Sequence, residues 1–291
     1  MPRGRRFKVI EGGKGPVFSC FMCDAVSPTR STTCPGCGRF DTLVREGEPA
    51  NEGKAPKHAA KLAYQRPQFI STGSKAWDEV LGGGFVKPSS VLIYGPSGVG
   101  KSTRALELAV HTAELVRGKV LYGSAEMPAD HVRIYAERIG LSPRALDRLW
   151  VQDSRDALDV LLNVEQMRPA VVVWDSIQRM TWQGELGDVE LRQVVHAAIE
   201  SSQHYGHVSI LLSQVSKDRS FSGPSGIQHD VDVSVRLSRE DRDLVIEAPY
   251  KNRFAPTPAL ARERFGTEEP DRPPPENAPL ALNDQKAPAD R

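Results

Sequence analysis

The sequence predicts an α/β fold: a mostly parallel sheet with helices on both faces and an added edge hairpin, preceded by a small cysteine-rich module. Three observations carry that expectation. Short apolar runs alternate with helix-length amphipathic segments from residue 68 to about 254, one run opens directly into a glycine-rich loop, and all four cysteines fall within eighteen residues near the N-terminus. The length of 291 residues fits two domains, and 39% hydrophobic content can fill at least one sizeable core. A net charge of +1 excludes a uniformly basic surface for nucleic acid or membrane. The charge is unevenly spread, because residues 1–70 hold 12 Lys+Arg against 6 Asp+Glu. No stretch approaches the roughly 18 apolar residues of a membrane span, and the N-terminus lacks the apolar core of a signal peptide. The expectation is a cytoplasmic protein without membrane contact.

The cysteines come first along the chain, as Cys20-x2-Cys23 and Cys34-x2-Cys37. A two-residue gap lets one tight turn present two thiolates to one ion, and two such pairs complete a tetrahedral Zn²⁺ set. Pro35-Gly36 and Gly38 supply turn geometry. Two disulfides are the alternative, and they require an oxidising compartment. A zinc site with four cysteine ligands is closed, so its role is structural. Residues 1–46 therefore read as a basic N-terminus and zinc-binding module, in which Arg3, Arg5, Arg6, Lys8, Arg30 and Arg39 either face an acidic partner or form a solvated surface. Residues 47–67 are polar and aperiodic and read as a linker.

Residues 68–255 form the second unit. Its strand-like runs are Val91–Tyr94, Val120–Tyr122, Leu149–Gln152, Val171–Trp174 and Val208–Leu212. Val231–Leu237 and Leu244–Tyr250 flank a turn-like Ser238–Asp241 and read as an antiparallel hairpin at the sheet edge. Residues 256–291 hold eight of the 22 prolines and read as a disordered tail.

The segment Gly95-Pro96-Ser97-Gly98-Val99-Gly100-Lys101-Ser102 matches G-x4-G-K-[ST], follows an apolar strand and opens a helix-length segment beginning Ser102-Thr103. Glycines let backbone N–H groups close on a β-phosphate at a helix N-terminus. Lys101 then bridges β- and γ-phosphates, and Ser102 places its hydroxyl on Mg²⁺. The expected ligand is ATP, with residues 95–103 as its cradle. Asp175, ending the run Val171–Trp174, is placed to complete the Mg²⁺ shell, with a strand-capping Asp as the plain alternative. Glu126 follows the Val120–Tyr122 strand at the sheet's carboxyl end, where ligands of open α/β sheets bind. It is the candidate for polarising the attacking water, the alternative being a helix-cap carboxylate. Gln214, just past Val208–Leu212, is a candidate γ-phosphate sensor.

Taken in order, these segments resemble the bacterial RadA/Sms recombination ATPases, a branch of the RecA/DnaB-like group. The resemblance is carried by the cysteine pairs with Thr42-Leu43-Val44, by Ser71-Thr72-Gly73 and Trp77–Gly84, and by the Walker A loop at 95–102. It is carried also by Val171–Gln178, by Ser216-Lys217 and Ser222-Gly223-Pro224, by His229-x-Val231-Asp232 and by Lys251-Asn252-Arg253-Phe254. It spans roughly residues 15–255. It implies a RecA-like ATP hydrolase that assembles into a ring, a hexamer, moves along single-stranded DNA in recombination and repair, and works beside a RecA-type recombinase. It implies that Glu126 is the catalytic glutamate, and that Lys251 and Arg253 reach the γ-phosphate of a neighbouring subunit. It implies DNA contact through two loops, one with Arg179 and Trp182 and one with Lys217, Arg219 and Phe221; paired cations and aromatics suit phosphate neutralisation and base stacking.

Several positions depart from the family pattern. RadA proteins continue into a Lon-protease-like domain after the signature, whereas the expectation here is the proline-rich tail alone. Ala255 stands where glycine usually closes the signature, Met127 where a second acidic residue is common, and Gln214 where histidine is frequent. The resulting expectation is a single-stranded-DNA-stimulated ATPase acting in branch processing. The alternative is a nucleotide-switched adaptor ATPase whose zinc module docks a protein, without motor activity.

Overall fold

The computed structural model describes residues 18–20, 22–29, 31–40, 42–45, 58, 67–215, 226–240, 243–247, 251–256 and 261–264. Strands β1 (Phe18–Cys20), β2 (Val26–Ser27) and β3 (Leu43–Arg45) make a three-stranded antiparallel ribbon in the order β2-β1-β3. Then β4 (Phe69–Ile70) pairs with β5 (Phe85–Val86) around α1 (Lys75–Leu81). The main sheet and its helices follow: β6 (Ser89–Gly95), α2 (Lys101–Leu115), β7 (Val120–Ser124), α3 (Ala129–Arg138), α4 (Pro143–Leu146) and β8 (Leu149–Gln152). Next come α5 (Ala157–Met167), β9 (Val171–Asp175), α6 (Asp188–Tyr205), β10 (Val208–Gln214) and α7 (Ile227–Asp230). The described chain closes with β11 (Val233–Glu240), β12 (Asp243–Ile246), β13 (Lys251–Asn252) and β14 (Ala261–Arg264).

The main sheet runs β14-β12-β11-β6-β10-β9-β7-β8, with β13 paired to β11. All pairings from β11 through β6, β10, β9 and β7 to β8 are parallel. The five apolar runs expected as strands all lie in it. They lack polar alternation because helices cover both faces. Successive side chains divide between two cores. Val91, Ile93, Tyr122, Val173, Ile210 and Leu212 pack in one with α1, α2, α3 and α4; Leu92, Tyr94, Leu121, Val172, Trp174 and Leu211 pack in the other with α5 and α6.

The expected hairpin exists with shifted bounds. Its ladder runs from Leu237↔Ile246 to Glu240↔Asp243, so Ser238, Arg239 and Glu240 are strand residues and not the turn. The strand β11 does double duty, because Val233–Arg236 also pair in parallel with Val91–Tyr94 of β6. A further strand, β14, pairs with β12 inside the segment expected to be a disordered tail, so ordered sheet extends beyond residue 255.

The cysteine ribbon rests on the second helical layer. The Glu165 carboxylate of α5 accepts from the Thr32 N–H (3.3 Å), the Thr32 hydroxyl (2.7 Å) and the Ser31 hydroxyl (3.2 Å). Phe40 stacks on His204 of α6, with ring centroids 5.2 Å apart. These bonds and stacked rings attach the ribbon directly to the ATPase-like layer.

Candidate active site and metal centre

Strand β6 is buried along its whole length, and β10 and β11 flank it in parallel. Gly95 ends it where β11 comes close: a Cβ there would stand 2.3 Å from the Leu237 carbonyl oxygen. Gly98 and Gly100 take φ of 75° and 105°, the left-handed region that favours glycine. Gly100 is the N-cap of α2 and offers no side-chain cap, so the first N–H groups of the helix are left for an anion. Lys101 is buried, and its Nζ donates to the Gly95 (2.9 Å) and Pro96 (2.8 Å) carbonyls, which folds it across the loop. Burial lowers its pKa, opposed by the nearby charges of Asp175 and Glu126. Thr103, on the same turn, bonds its hydroxyl to that of Tyr135.

Asp175 ends β9 and is buried at the same edge of the sheet. The Tyr122 hydroxyl donates to its Oδ2, and Ser102 also hydrogen-bonds it. Burial raises the Asp175 pKa, opposed by those two hydrogen bonds and by Lys101. The Tyr122 phenol is pushed up by burial and by Asp175. A Ser hydroxyl and a carboxylate in mutual contact beside the loop are the hard oxygen donors that suit Mg²⁺.

Glu126 lies two residues beyond β7. The chain turns there because the Ser124 hydroxyl donates to the Met127 carbonyl (2.6 Å) and accepts from its N–H (3.0 Å), while the Ala125 N–H donates to the Asp175 carbonyl (2.7 Å). Glu126 does not cap α3, whose N-cap is Pro128. Its Oε1 accepts from the Ser176 hydroxyl at 2.7 Å, and Arg179 Nε lies 3.9 Å from the same oxygen. Gln214 ends β10 in register with Gly95, next to the loop. Lys101, Ser102, Glu126, Asp175 and Gln214 thus all lie at one sheet edge.

Lys251 and Arg253 are not brought there. Lys251 Nζ donates to the His229 carbonyl, and Arg253 Nη1 donates to Asp232 Oδ1 at 2.8 Å. Asp232 Oδ2 in turn accepts from the Ser90 N–H (2.9 Å) and hydroxyl (2.8 Å). Ser90 is the second residue of β6 and Gly95 ends it, which separates this cluster from the chain's own loop by about 17 Å of strand. Burial and Arg253 lower the Lys251 pKa, against Asp232 and Asp230.

The expected DNA loops fare unequally. Arg179 is 62% exposed at a 3-10 turn. Trp182 is a correction: it is buried in the second core, and Gly38 of the ribbon lies against its indole, so it cannot stack on a base. Lys217, Arg219 and Phe221 lie outside the described residues, as do Arg3, Arg5, Arg6, Lys8 and Arg30. A cavity of about 610 Å³ between the 72–77 segment and α2 is lined by none of the candidate residues.

The four cysteine Sγ atoms lie within 4.8 Å of one another, and Cys20–Cys37 and Cys23–Cys34 are each 3.7 Å apart. Tetrahedral ligands at 2.3 Å from zinc stand about 3.8 Å apart, whereas a disulfide needs about 2.05 Å. The Met22 and Gly36 N–H groups donate to the Cys20 and Cys34 sulfurs. Gly36 is needed for closure, since a Cβ would stand 2.3 Å from Ala25 Cβ. Against the burial that raises it, hydrogen bonds from Thr42 and the Met22 and Cys23 backbones hold the Cys20 thiol at about 7. The donor set therefore fits zinc.

The sequence assigns no role to Tyr122, Ser176, Gln178 or Asp232, although Ser176 and Gln178 stand in the Asp-Ser-Ile-Gln stretch and Asp232 in His229-x-Val231-Asp232 that carry the resemblance. Gln178 Nε2 donates to the Ser213 hydroxyl and to the Gln214 carbonyl, tying the turn after β9 to the end of β10. Tyr122 reads as one more apolar strand residue, and nothing local marks its hydroxyl.

A parallel sheet with a phosphate loop after β6, an acidic residue ending β9 and a glutamate beyond β7 defines a RecA-like P-loop ATPase with a cysteine ribbon in front. The model for the AAA domain family matches residues 68–220. The chain is 33% identical over 255 residues to the DNA repair protein RadA of Mycobacterium tuberculosis, covering 81% of this chain and 52% of that protein. It is 30% identical over 260 residues to that of Bacillus subtilis (82% and 56%), and 28% over 261 residues to that of Aquifex aeolicus (86% and 58%). The chain belongs to the AAA domain family and is a RadA-like ATPase. It spans about half the length of the curated relatives it matches. No helix among the described residues is long and apolar enough to cross a membrane.

Proposed function

We propose that the chain hydrolyses ATP in the cytoplasm at the β6–α2 loop, is stimulated by single-stranded DNA, and acts in recombination and DNA repair. The observation that carries the chemistry is the convergence of Lys101, Ser102, Asp175 and Glu126 at the carboxyl edge of the parallel sheet. The DNA role rests on the relatives, which are named DNA repair proteins.

The N–H groups of the loop and of the first turn of α2 bind the phosphates, and Lys101 leaves the Gly95 and Pro96 carbonyls to take the β- and γ-oxygens. Ser102 and Asp175 would hold Mg²⁺, which would supply neutralisation of phosphate charge. Glu126 accepts the proton of the attacking water as the new P–O bond forms and the bond from the γ-phosphorus to the bridging oxygen breaks. Gln214 lies next to the loop as the γ-phosphate sensor. Lys251 and Arg253 lie a strand length from their own loop, so they serve a neighbouring subunit in a ring, where a cation supplied in trans stabilises charge on the transferring phosphoryl group.

The test is turnover of Lys101→Ala, Glu126→Gln and Arg253→Ala. Lys101→Ala abolishes hydrolysis and Glu126→Gln leaves only a small residual rate, each at every protein concentration. Arg253→Ala poisons mixed assemblies with wild-type chains in excess of its own fraction. Strictly proportional activity in such mixtures overturns the trans role.

A further inference from the structure

We infer that Ser176 is a positioning residue for Glu126, helped by Arg179, so that one carboxylate oxygen is pinned and the other is left for the water. This deepens the reading of Glu126 as the base and rests on it. Both contacts fall on the same atom: the Ser176 hydroxyl donates to Oε1 at 2.7 Å, and Arg179 Nε stands 3.9 Å from it. An oxygen that already accepts a hydroxyl and faces a guanidinium is a poorer proton acceptor, so Oε2 is the atom that takes the proton of the water.

The pin is built into the sheet edge. Ser176 directly follows Asp175, and the Asp175 carbonyl accepts from the Ala125 N–H at 2.7 Å, so the backbones immediately before Glu126 and Ser176 are bonded together. Glu126 itself is 38% exposed and is not enclosed by packing. A half-exposed glutamate has three rotatable bonds and spends little time in one geometry unless something holds it. Arg179 is more exposed still, and its charge is screened, so Ser176 is the stronger of the two holds.

The experiment measures single-turnover ATP hydrolysis and equilibrium nucleotide affinity for the full chain and for Ser176→Ala, Ser176→Thr, Glu126→Gln and the double variant Ser176→Ala/Glu126→Gln. Misplacing a catalytic group costs on the order of tenfold or more. Ser176→Ala should slow hydrolysis about tenfold with nucleotide affinity kept within about twofold, and Ser176→Thr, which keeps the hydroxyl, should restore the rate. In the Glu126→Gln background the Ser176 change should add nothing, because the serine acts through that carboxylate. A Ser176→Ala chain that hydrolyses at the wild-type rate, or an equal further loss in the double variant, overturns the inference. Hydrolysis near the wild-type rate in Glu126→Gln alone instead overturns the assignment of Glu126 as base.

Discussion

Gly38 of the cysteine ribbon lies against the ring of Trp182 in the ATPase core: a Cβ on that glycine would stand 2.3 Å from Trp182 Cη2 and 3.1 Å from Leu158 Cδ2. Gly38 also has φ of +65°, which disfavours any branched residue. The contact explains why Trp182, an aromatic in a loop expected to reach outward, is buried. Gly38→Val should cost about 1–3 kcal/mol through overpacking and backbone strain. Urea unfolding measures it, and an unchanged midpoint would mean the ribbon does not press on the core.

Glu165 is the polar half of the same contact. Against the burial that raises it, hydrogen bonds from Thr32 and Ser31 hold its pKa below the ordinary value of 4.5. A depressed carboxyl stabilises the native state above the unfolded pKa and loses that contribution as pH falls through the folded one. Glu165→Ala should therefore loosen residues 31–33 at pH 7, seen as faster amide exchange there, and the difference from wild type should shrink below about pH 4.

Among the described residues, the ribbon core consists of Phe18, Cys20, Cys34 and Leu43, with Ala25 and Cys37 packed beside it. A core of that size would need a bound metal to hold the ribbon's fold. We expect one zinc per chain by atomic emission. Its removal with a mercurial should raise amide exchange over residues 31–40 and leave β6 and β10 protected.

His207 is fully buried before β10, with Nε2 3.1 Å from the Ser209 hydroxyl. Burial, with Lys87 adding to it, lowers its pKa to about 3 from 6.5. Below about pH 6.5 the unfolded chain takes up a proton that the native chain refuses. Stability should fall by about 1.4 kcal/mol per pH unit from there toward pH 3. Unfolding free energies from urea titrations of wild type and His207→Gln at pH 7, 6 and 5 should diverge in pH slope by up to that amount, and parallel slopes would contradict the assignment.

What was legible in the sequence was what local spacing encodes. Gly95–Ser102, Asp175 after four apolar residues and the two cysteine pairs are short-range patterns whose chemistry needs those residues at those separations, and each occupies the expected place. Glu126 was legible from its position after a strand. The rest depends on packing between distant segments. Tyr122 and Asp175 are 53 positions apart, and Ser90 and Asp232 are 142 apart, and each pair meets only because parallel strands set them side by side. Trp182 failed as a stacking residue because its partner, Gly38, lies in a ribbon that reads as a separate module across a linker. Strand β14 was missed because prolines around it dominate the composition.

A nucleotide site worked by Lys101 and Glu126 and answering to DNA is tested most directly by one measurement. It is ATP turnover of the full chain, on a size-exclusion fraction of known mass, with and without single-stranded DNA across a salt titration. Single strands should accelerate hydrolysis at low salt and progressively less at high salt, and Lys101→Ala should abolish it. Turnover indifferent to added single strands at every salt concentration would contradict the DNA role.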